Sequence, residues 1–436
     1  MSQTQATTPP DAAAQNATMV RATVAGTVGN ILEWYDFSVY AYLVPSIGVA
    51  FFPTASHLAQ ILFSFAVFGV GFFMRPIGSV VVGAYGDRAG RRAALVLTVG
   101  MMGVSTLAIG LLPTYATAGI WAPILLTLVR LCQGFAAGGE WGGAATFLVE
   151  FAPTGRRGYI GSYQQASVGA GLLVGSGFVA FLAYLLGQEA LAAWGWRIPF
   201  ICGIAVAGFA IYFRLRLPDT PQFVAIEQQH IVSKQPLRDL FTEHWRELIT
   251  QFGITVHNTV SYYITLQYMP TWLTSVAKMP QSQALLVSTI GLAVLVCATP
   301  FIGALSDRIG RKPLLITSCV GFIVLCYPLY KLASTATFGI VLSVQIVLVL
   351  LTATYSACVP ATYAEIFPTR VRYSGLSVGY NSAVLVFGGF APFIATWLVS
   401  TTGNTLSPTF YVIGCAILTL IFVLRMRETA FTPLRS

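Results

Sequence analysis

Ionised side chains are scarce in this sequence. Asp, Glu, Lys and Arg together make up 9% of its 436 residues, against about 25% in soluble domains. A soluble globule of this length could not cover its surface with so little charge, so that class is excluded, and intrinsic disorder with it. Acid is the scarcer sign, with 15 Asp and Glu against 24 Lys and Arg and a net charge of +9. Histidine is scarcer still: His57, His230, His244 and His257 lie in different regions, and none has the spacing of a metal-ligand pair. Neither a HExxH helix, nor a Ser/His pair at one interface, nor a haem ligand set is present, which excludes an integral-membrane enzyme. The seven cysteines form no CxxC, which argues against a disulfide framework or zinc site and for small apolar packing residues. Residues 1–20 are polar and rich in Ala, Thr and Gln, with no apolar core, so they are read as a disordered tail and not as a signal peptide.

Apolar residues, by contrast, reach 56%, and the mean hydropathy is +0.74. Residues 37–74, 93–129, 158–188, 248–277, 279–306, 332–364 and 373–424 contain no Asp, Glu, Lys or Arg. A membrane helix needs ~20 apolar residues to cross ~30 Å of hydrocarbon, so several of these stretches hold two crossings joined by an uncharged hairpin. Pro113-Thr114 with Gly119, and Thr401-Thr402-Gly403-Asn404, supply the turns. The expected fold is all-α and membrane-integral, with twelve spans at about 22–45, 58–83, 93–112, 120–148, 159–186, 197–216, 247–276, 282–304, 313–331, 336–364, 373–400 and 408–425.

With the N-terminus placed in the cytoplasm, nineteen Lys and Arg fall inside, from Arg21 to Arg435. Three fall outside (Arg197, Lys278, Lys331), and Arg75 and Arg130 lie within helices. The positive-inside rule then sets both termini in the cytoplasm. The excess of positive charge is a topology signal and calls for no nucleic-acid partner.

The chain also repeats itself. Gly83-Ala-Tyr-Gly-Asp87-Arg88-Ala-Gly90-Arg91-Arg92 returns as Gly303-Ala-Leu-Ser-Asp307-Arg308-Ile-Gly310-Arg311-Lys312, identical at six of ten positions with an offset of 220. Glu150-Phe-Ala-Pro153-Thr154-Gly-Arg-Arg157 returns as Glu365-Ile-Phe-Pro368-Thr369-Arg-Val-Arg372 with an offset of 215. Two six-helix halves are expected, 21–216 and 246–426, joined by a charged cytoplasmic linker at 217–245 and followed by a tail at 427–436. Duplicated halves around a central site are the build of secondary transporters.

Glu33, Asp36, Arg75, Arg130 and Glu140 cannot be placed at an interface. Each costs ~3 kcal/mol at the bilayer centre, so an intramembrane charge is a functional-site hypothesis by default. An ion pair such as Asp36 with Arg130 is switchable, because an anionic group that competes for the guanidinium leaves the carboxylate to take a proton. Asp36 is the expected proton carrier, with Glu33 second. Arg75 is read either as an anion-binding residue or as the structural partner of Glu33 or Glu140. Glu140 lies among Gly138, Gly139, Gly142 and Gly143, a stretch suited to close helix packing.

Taken together, the motifs resemble those of the major facilitator superfamily, whose signature the Gly-x-x-x-Asp-Arg-x-Gly-Arg repeats match. More narrowly, Gly29-Asn30-Ile-Leu-Glu33-Trp34-Tyr35-Asp36-Phe37, Phe73-Met74-Arg75-Pro76-Ile77-Gly78, the run from Arg130-Leu-Cys-Gln133-Gly134 to Glu140-Trp141-Gly142, and Trp194-Gly195-Trp196-Arg197-Ile198-Pro199-Phe200 resemble the metabolite:proton symporters. That family includes permeases for citrate, α-ketoglutarate, shikimate, and proline or betaine. The resemblance implies alternating access, a small-molecule substrate moved with protons, no cofactor or metal, a monomer, and a place in a bacterial inner membrane. It implies proton coupling through Asp36 and Arg130, which match a first-helix aspartate and a fourth-helix arginine of the proton-coupled sugar symporters. It also implies gating by Asp87, Arg91 and Glu150, and by Asp307, Arg311 and Glu365, with Arg88 and Arg308 in the same motifs. A carboxylate in that position suits a helix N-terminus approaching from the other half.

Arg75, Arg130, Gln133, Gln164, His257, Asn258, Tyr262 and Tyr380 are the candidate substrate contacts, with Gln165, Tyr263 and Asn381 beside them. Intramembrane arginine favours a small organic acid of the citrate or dicarboxylate kind as substrate. Symport of a zwitterion such as proline or betaine is one alternative. Proton-coupled efflux of toxic compounds is another, although the fifth span carries Gly169, Gly171, Gly175 and Gly177 without the proline common in exporters.

Overall fold

The computed structural model describes residues 12–55, 57–216, 219–229, 233–275, 277–334 and 337–435. Twelve long helices dominate them: α1 (Ala12–Phe51), α2 (His57–Ala89), α3 (Arg91–Leu111), α4 (Trp121–Phe151), α5 (Arg157–Ala190), α6 (Arg197–Leu215), α7 (Trp245–Tyr262), α8 (Gln281–Ile309), α9 (Arg311–Ala333), α10 (Phe338–Ser356), α11 (Arg372–Ala383) and α12 (Ser407–Arg425). Three of them run on past a break: α7 through Tyr263–Tyr268 into Met269–Ser275, α10 into Val359–Ile366, and α11 through Val384–Gly388 into Ala391–Thr402. The segments Tyr263–Tyr268 and Val384–Gly388 are wide π turns. Each precedes a proline, Pro270 or Pro392, that lacks the N–H for the next regular bond.

Among the described residues, ten helices are apolar and long enough to cross a membrane. The two that fall short, α1 and α7, open the two sets of six. They are diluted by buried polar side chains: Asn30, Glu33 and Asp36 in α1, and Gln251, Thr255, His257, Asn258 and Thr259 in α7.

Two expectations are corrected. α1 begins at Ala12, so residues 12–20, read as part of a disordered tail, are helical, while residues 1–11 lie outside the described residues. The Asp87 and Asp307 motifs, which the expected spans leave between helices, belong to α2 and α8. α2 and α8 run on to Gly90 and Gly310, which adopt φ of +99° and let α3 and α9 start at once.

Each set of six has its own apolar core, one around Tyr40, Trp196 and Phe200 and the other around Trp272, Phe322 and Tyr330. Within the first set α2 packs on α4, α1 on α5 and α3 on α6; the sets meet along α5/α8 and α2/α11. The α2/α4 contact is backbone against backbone. A Cβ on Gly134 would lie 2.0 Å from the Gly71 carbonyl oxygen, and no side-chain rotation relieves that clash. Gly134→Ala is therefore expected to lower stability by about 1–3 kcal/mol, read as a drop in melting temperature in detergent. An unchanged melting temperature would show that the two helices separate freely.

Candidate functional site

Arginine collects at one end of the bundle, where the repeated motifs cross-link the two sets of helices. Asp87, in the last turn of α2, accepts the backbone N–H groups of Tyr373 (3.1 Å) and Ser374 (2.9 Å) at the start of α11. Asp307, in the last turn of α8, accepts those of Gly158 and Tyr159 (both 2.8 Å) at the start of α5. Both carboxylates thus sit on the positive end of a helix from the opposite set.

Arg91 lies 3.2 Å from Asp87 and 3.4 Å from Glu150, and donates to the Thr369 carbonyl at 2.5 Å. Glu150 bonds Arg372 of the other set at 2.6 Å, with neither side chain exposed. Arg311 bonds Asp307 at 2.9 Å and Glu365 at 3.1 Å, and Arg157 reaches Glu365 from the first set at 3.7 Å. Arg88 and Arg308 are exposed and make none of these ion pairs.

Sequence reasoning missed two acids here. Asp219, past the end of α6, accepts the Arg91 N–H at 3.0 Å and caps α3. Glu428, past the end of α12, accepts the Arg311 and Lys312 N–H groups, each at 3.0 Å, and caps α9. The hydroxyls beside them bond the same pair of glutamates: Thr220 donates to Glu150, and Thr429 to Glu365 at 2.6 Å. Burial pushes the Asp219 carboxyl above its ordinary value, against the pull of the Thr220, Arg91 and Arg92 N–H groups and the Arg91 charge. Burial pushes the same way on Glu428, but there four backbone N–H groups win and hold it below the usual range. The signal was available: Asp219-Thr220 and Glu428-Thr429 are a third repeat, at an offset of 209.

Three buried ion pairs lie deeper, all in the first set. Arg75 bonds Glu33 at 2.7 Å, Arg130 lies 3.2 Å from Asp36, and Arg214 bonds Glu140 at 2.6 Å. Arg214 corrects the sequence reading, which counted it among the topology-setting charges; it is fully buried against Glu140. Asp36 is held on both sides, since Thr106 of α3 donates to it at 3.0 Å. Gln133 ties the group together, accepting from Arg130 at 2.8 Å and donating to Thr106 at 3.0 Å. Arg130 stacks over Tyr40 and Phe68 with centroid distances of 4.4 and 5.0 Å, and Arg75 over Phe37 and Phe72 at 4.8 and 5.0 Å.

A cavity of about 370 Å³ lies on the seam between the two sets. Trp34, Phe37, Tyr42, Phe68, Phe72 and Tyr263 give it six aromatic walls, and Ser38, Gln267, Thr271 and Ser288 supply polar groups. None of its lining side chains is ionised. Below it, with Trp34 and Tyr263 as common wall, is a small void whose lining includes Gln165, Asn258, Tyr262 and Tyr380.

The candidate substrate contacts therefore divide. Asn258, Tyr262 and Tyr380 line the void; Arg75, Arg130 and Gln133 stand behind the phenylalanines. Gln164 is corrected: it faces α1, its carbonyl accepting from Asn30 at 3.0 Å, and lines neither space. His257 is corrected as well. It turns into the second set's own core, edge-on to Phe322 and Tyr355, with Nε2 3.4 Å from the Ser318 hydroxyl. Consecutive helical residues point about 100° apart, so His257 and Asn258 cannot serve the same face. Among the described residues no cluster of His, Cys, Asp or Glu is arranged to hold a metal ion.

Comparison with known proteins agrees with this architecture. The "Sugar (and other) transporter" family matches the chain twice, over residues 22–243 and 227–436. A proline/betaine transporter of Salmonella typhimurium is 34% identical over 428 residues, covering 95% of this chain and 85% of that protein. A glycine betaine/proline/ectoine/pipecolic acid transporter of Dickeya dadantii is also 34% identical over 428 residues, covering 95% of this chain and 84% of that protein. Among solved structures, the E. coli proton:xylose symporter XylE, bound to 6-bromo-6-deoxy-D-glucose, matches with a TM-score of 0.80 at 18% identity, over 96% of this chain and 98% of that one. The chain is a membrane transporter, and it belongs to the sugar (and other) transporter family of the major facilitator superfamily.

Proposed function

We propose that this protein is a proton-coupled symporter of a small zwitterion of the proline or betaine kind, working as a monomer by alternating access in a bacterial inner membrane. The arginine-rich end faces the cytoplasm in this reading, as the distribution of Lys and Arg asks, and both termini lie on that side. The observation that carries the substrate class is the cavity wall. Arg75 and Arg130 are each engaged by a carboxylate, and no ionised group lines the cavity. A citrate-like anion would find no unpaired cation there, whereas a zwitterion brings its own counter-charge and a methylated ammonium suits aromatic faces. The names of the relatives point the same way, so the organic acid favoured on sequence grounds gives place to the zwitterion.

Coupling falls to Asp36. Its pairing with Arg130 stores a charge that protonation from the cavity side releases. The carboxylate gate at the arginine-rich end, formed by Asp87, Arg91 and Glu150 with Asp307, Arg311 and Glu365, holds the protein closed to the cytoplasm until the site is filled.

Purified protein in proteoliposomes with an imposed inward proton gradient tests the reading. Labelled glycine betaine or proline is expected to accumulate, and a protonophore to collapse it. Accumulation of citrate or α-ketoglutarate with indifference to betaine and proline would overturn the substrate class.

A further inference from the structure

We infer that the small void beneath the cavity is the subsite for the substrate's carboxylate, and that the aromatic chamber above it takes the ammonium group. The inference rests on the zwitterion reading and gives the zwitterion an orientation. The void measures about 10 Å³, at the lower limit for one water molecule. Four residues of its lining carry a buried polar atom without a hydrogen-bond partner: Trp34 Nε1, Asn258 Oδ1, Thr259 Oγ1 and Tyr262 OH.

A buried polar group left unpaired bears its full desolvation penalty, and four on the residues that line one void mark a place suited to a polar guest. Its character is specific. The indole N–H and the two hydroxyls donate, the Asn258 amide presents a donor after rotation, and no lining side chain is ionised. Neutral donors without a cation fit the carboxylate of a molecule that carries its own positive charge.

The chamber next door fits the other end. Phe37 stands 5.8 Å from Trp34, 5.4 Å from Phe68 and 5.7 Å from Phe72 between ring centroids. Its rings surround a methylated ammonium without offering it a counter-ion. Trp34 and Tyr263 are the shared wall, and Tyr263 opens the π turn of α7, a backbone form that gives way more readily than a regular helix. Admission of the carboxylate widens the void by moving this wall. Because Trp34 belongs to the first set of helices and Asn258, Thr259 and Tyr262 to the second, the carboxylate then bridges both.

The test measures binding to purified protein in nanodiscs by calorimetry, with glycine betaine, with choline, which keeps the ammonium but has an alcohol for the carboxylate, and with 3,3-dimethylbutyrate, which keeps the carboxylate and replaces the ammonium by a neutral tert-butyl group. Tyr262→Phe and Thr259→Val each remove one hydroxyl. Each is expected to weaken betaine about 10-fold, to weaken dimethylbutyrate in parallel, and to leave choline unchanged. Retained choline binding and an unchanged melting temperature show that a variant is folded. Betaine binding that survives both substitutions, or choline binding lost in step with it, overturns the orientation and leaves the zwitterion reading standing. Wild-type protein that binds no zwitterion but takes a dicarboxylate overturns both.

Discussion

Asp36→Asn is expected to abolish accumulation of substrate against its gradient while sparing exchange of labelled for unlabelled substrate. Asparagine keeps the shape and can still accept from Thr106, now at 3.0 Å, but it cannot ionise. The neighbours of Asp36 suit it to the proposed role of proton carrier. Arg130 lies 3.2 Å away and also bonds Gln133 at 2.8 Å, so the guanidinium keeps a partner when the carboxylate is protonated. The pair therefore changes charge without losing geometry, as a carrier that loads and unloads in each cycle must. One pH unit corresponds to about 1.36 kcal/mol per proton, so a gradient of two units sustains up to about 100-fold accumulation for one proton per substrate. The variant is expected to reach an accumulation ratio of about 1 in proteoliposomes, with counterflow near the wild-type rate. Intact accumulation would move the role to Glu33, whose Oε1 takes Arg75 at 2.7 Å and whose buried Oε2 has no partner.

Arg372→Ala is expected to open the arginine-rich end. Its guanidinium bonds Glu150 across the seam at 2.6 Å, and also the Ala364 and Arg435 carbonyls, each at 2.8 Å. Both members of the ion pair are already out of water, and removing one partner of such a pair costs about 3–5 kcal/mol because the other charge is left behind. Arg91 at 3.4 Å and the Thr220 hydroxyl stay with Glu150 and offset part of that cost, and the closed form alone bears the rest, since opening wets Glu150, so the closed-to-open ratio is expected to fall about 10-fold to 100-fold. A cysteine placed at Ala361, fully buried beside Val149 on the seam, reads this as faster alkylation by a membrane-impermeant reagent from the cytoplasmic side. Unchanged alkylation would show that the Glu150–Arg372 pair does not hold the gate.

The helix plan was legible because a bilayer fixes the length of every span and most charges lie between spans. The ends of α6 and α12, for instance, fall within a residue of the sequence expectation. The cross-links at the arginine-rich end were legible in part because duplication printed their motifs twice. Asp87 and Asp307 do meet helix N-termini of the opposite set. What escaped were partners far apart in sequence and single in occurrence. Arg214 looks like any basic residue closing a span, and nothing local reveals Glu140 as its partner 74 residues earlier. Thr106 is one threonine in an apolar helix until it is seen against Asp36. His257 was misjudged by grouping neighbours in sequence, where the helix groups Asn258 with Tyr262, four residues on, and sends His257 to the other side.

The paired caps at the arginine-rich end also speak of ancestry. The second helix of each set touches the fifth helix of the other through the same carboxylate, so contact and counter-contact exchange under a two-fold rotation. That is the definition of an isologous interface between identical subunits. A six-helix ancestor could have closed such an interface with a copy of itself, but every residue it carried would then have appeared twice. Fusion into one chain removes that constraint. Glu33, Asp36 and Glu140 with their three arginines stand in the first set, while the cavity and the void draw residues from both sets. An unequal placing of buried charge between the two sets is open to a fused protein and closed to a symmetric pair.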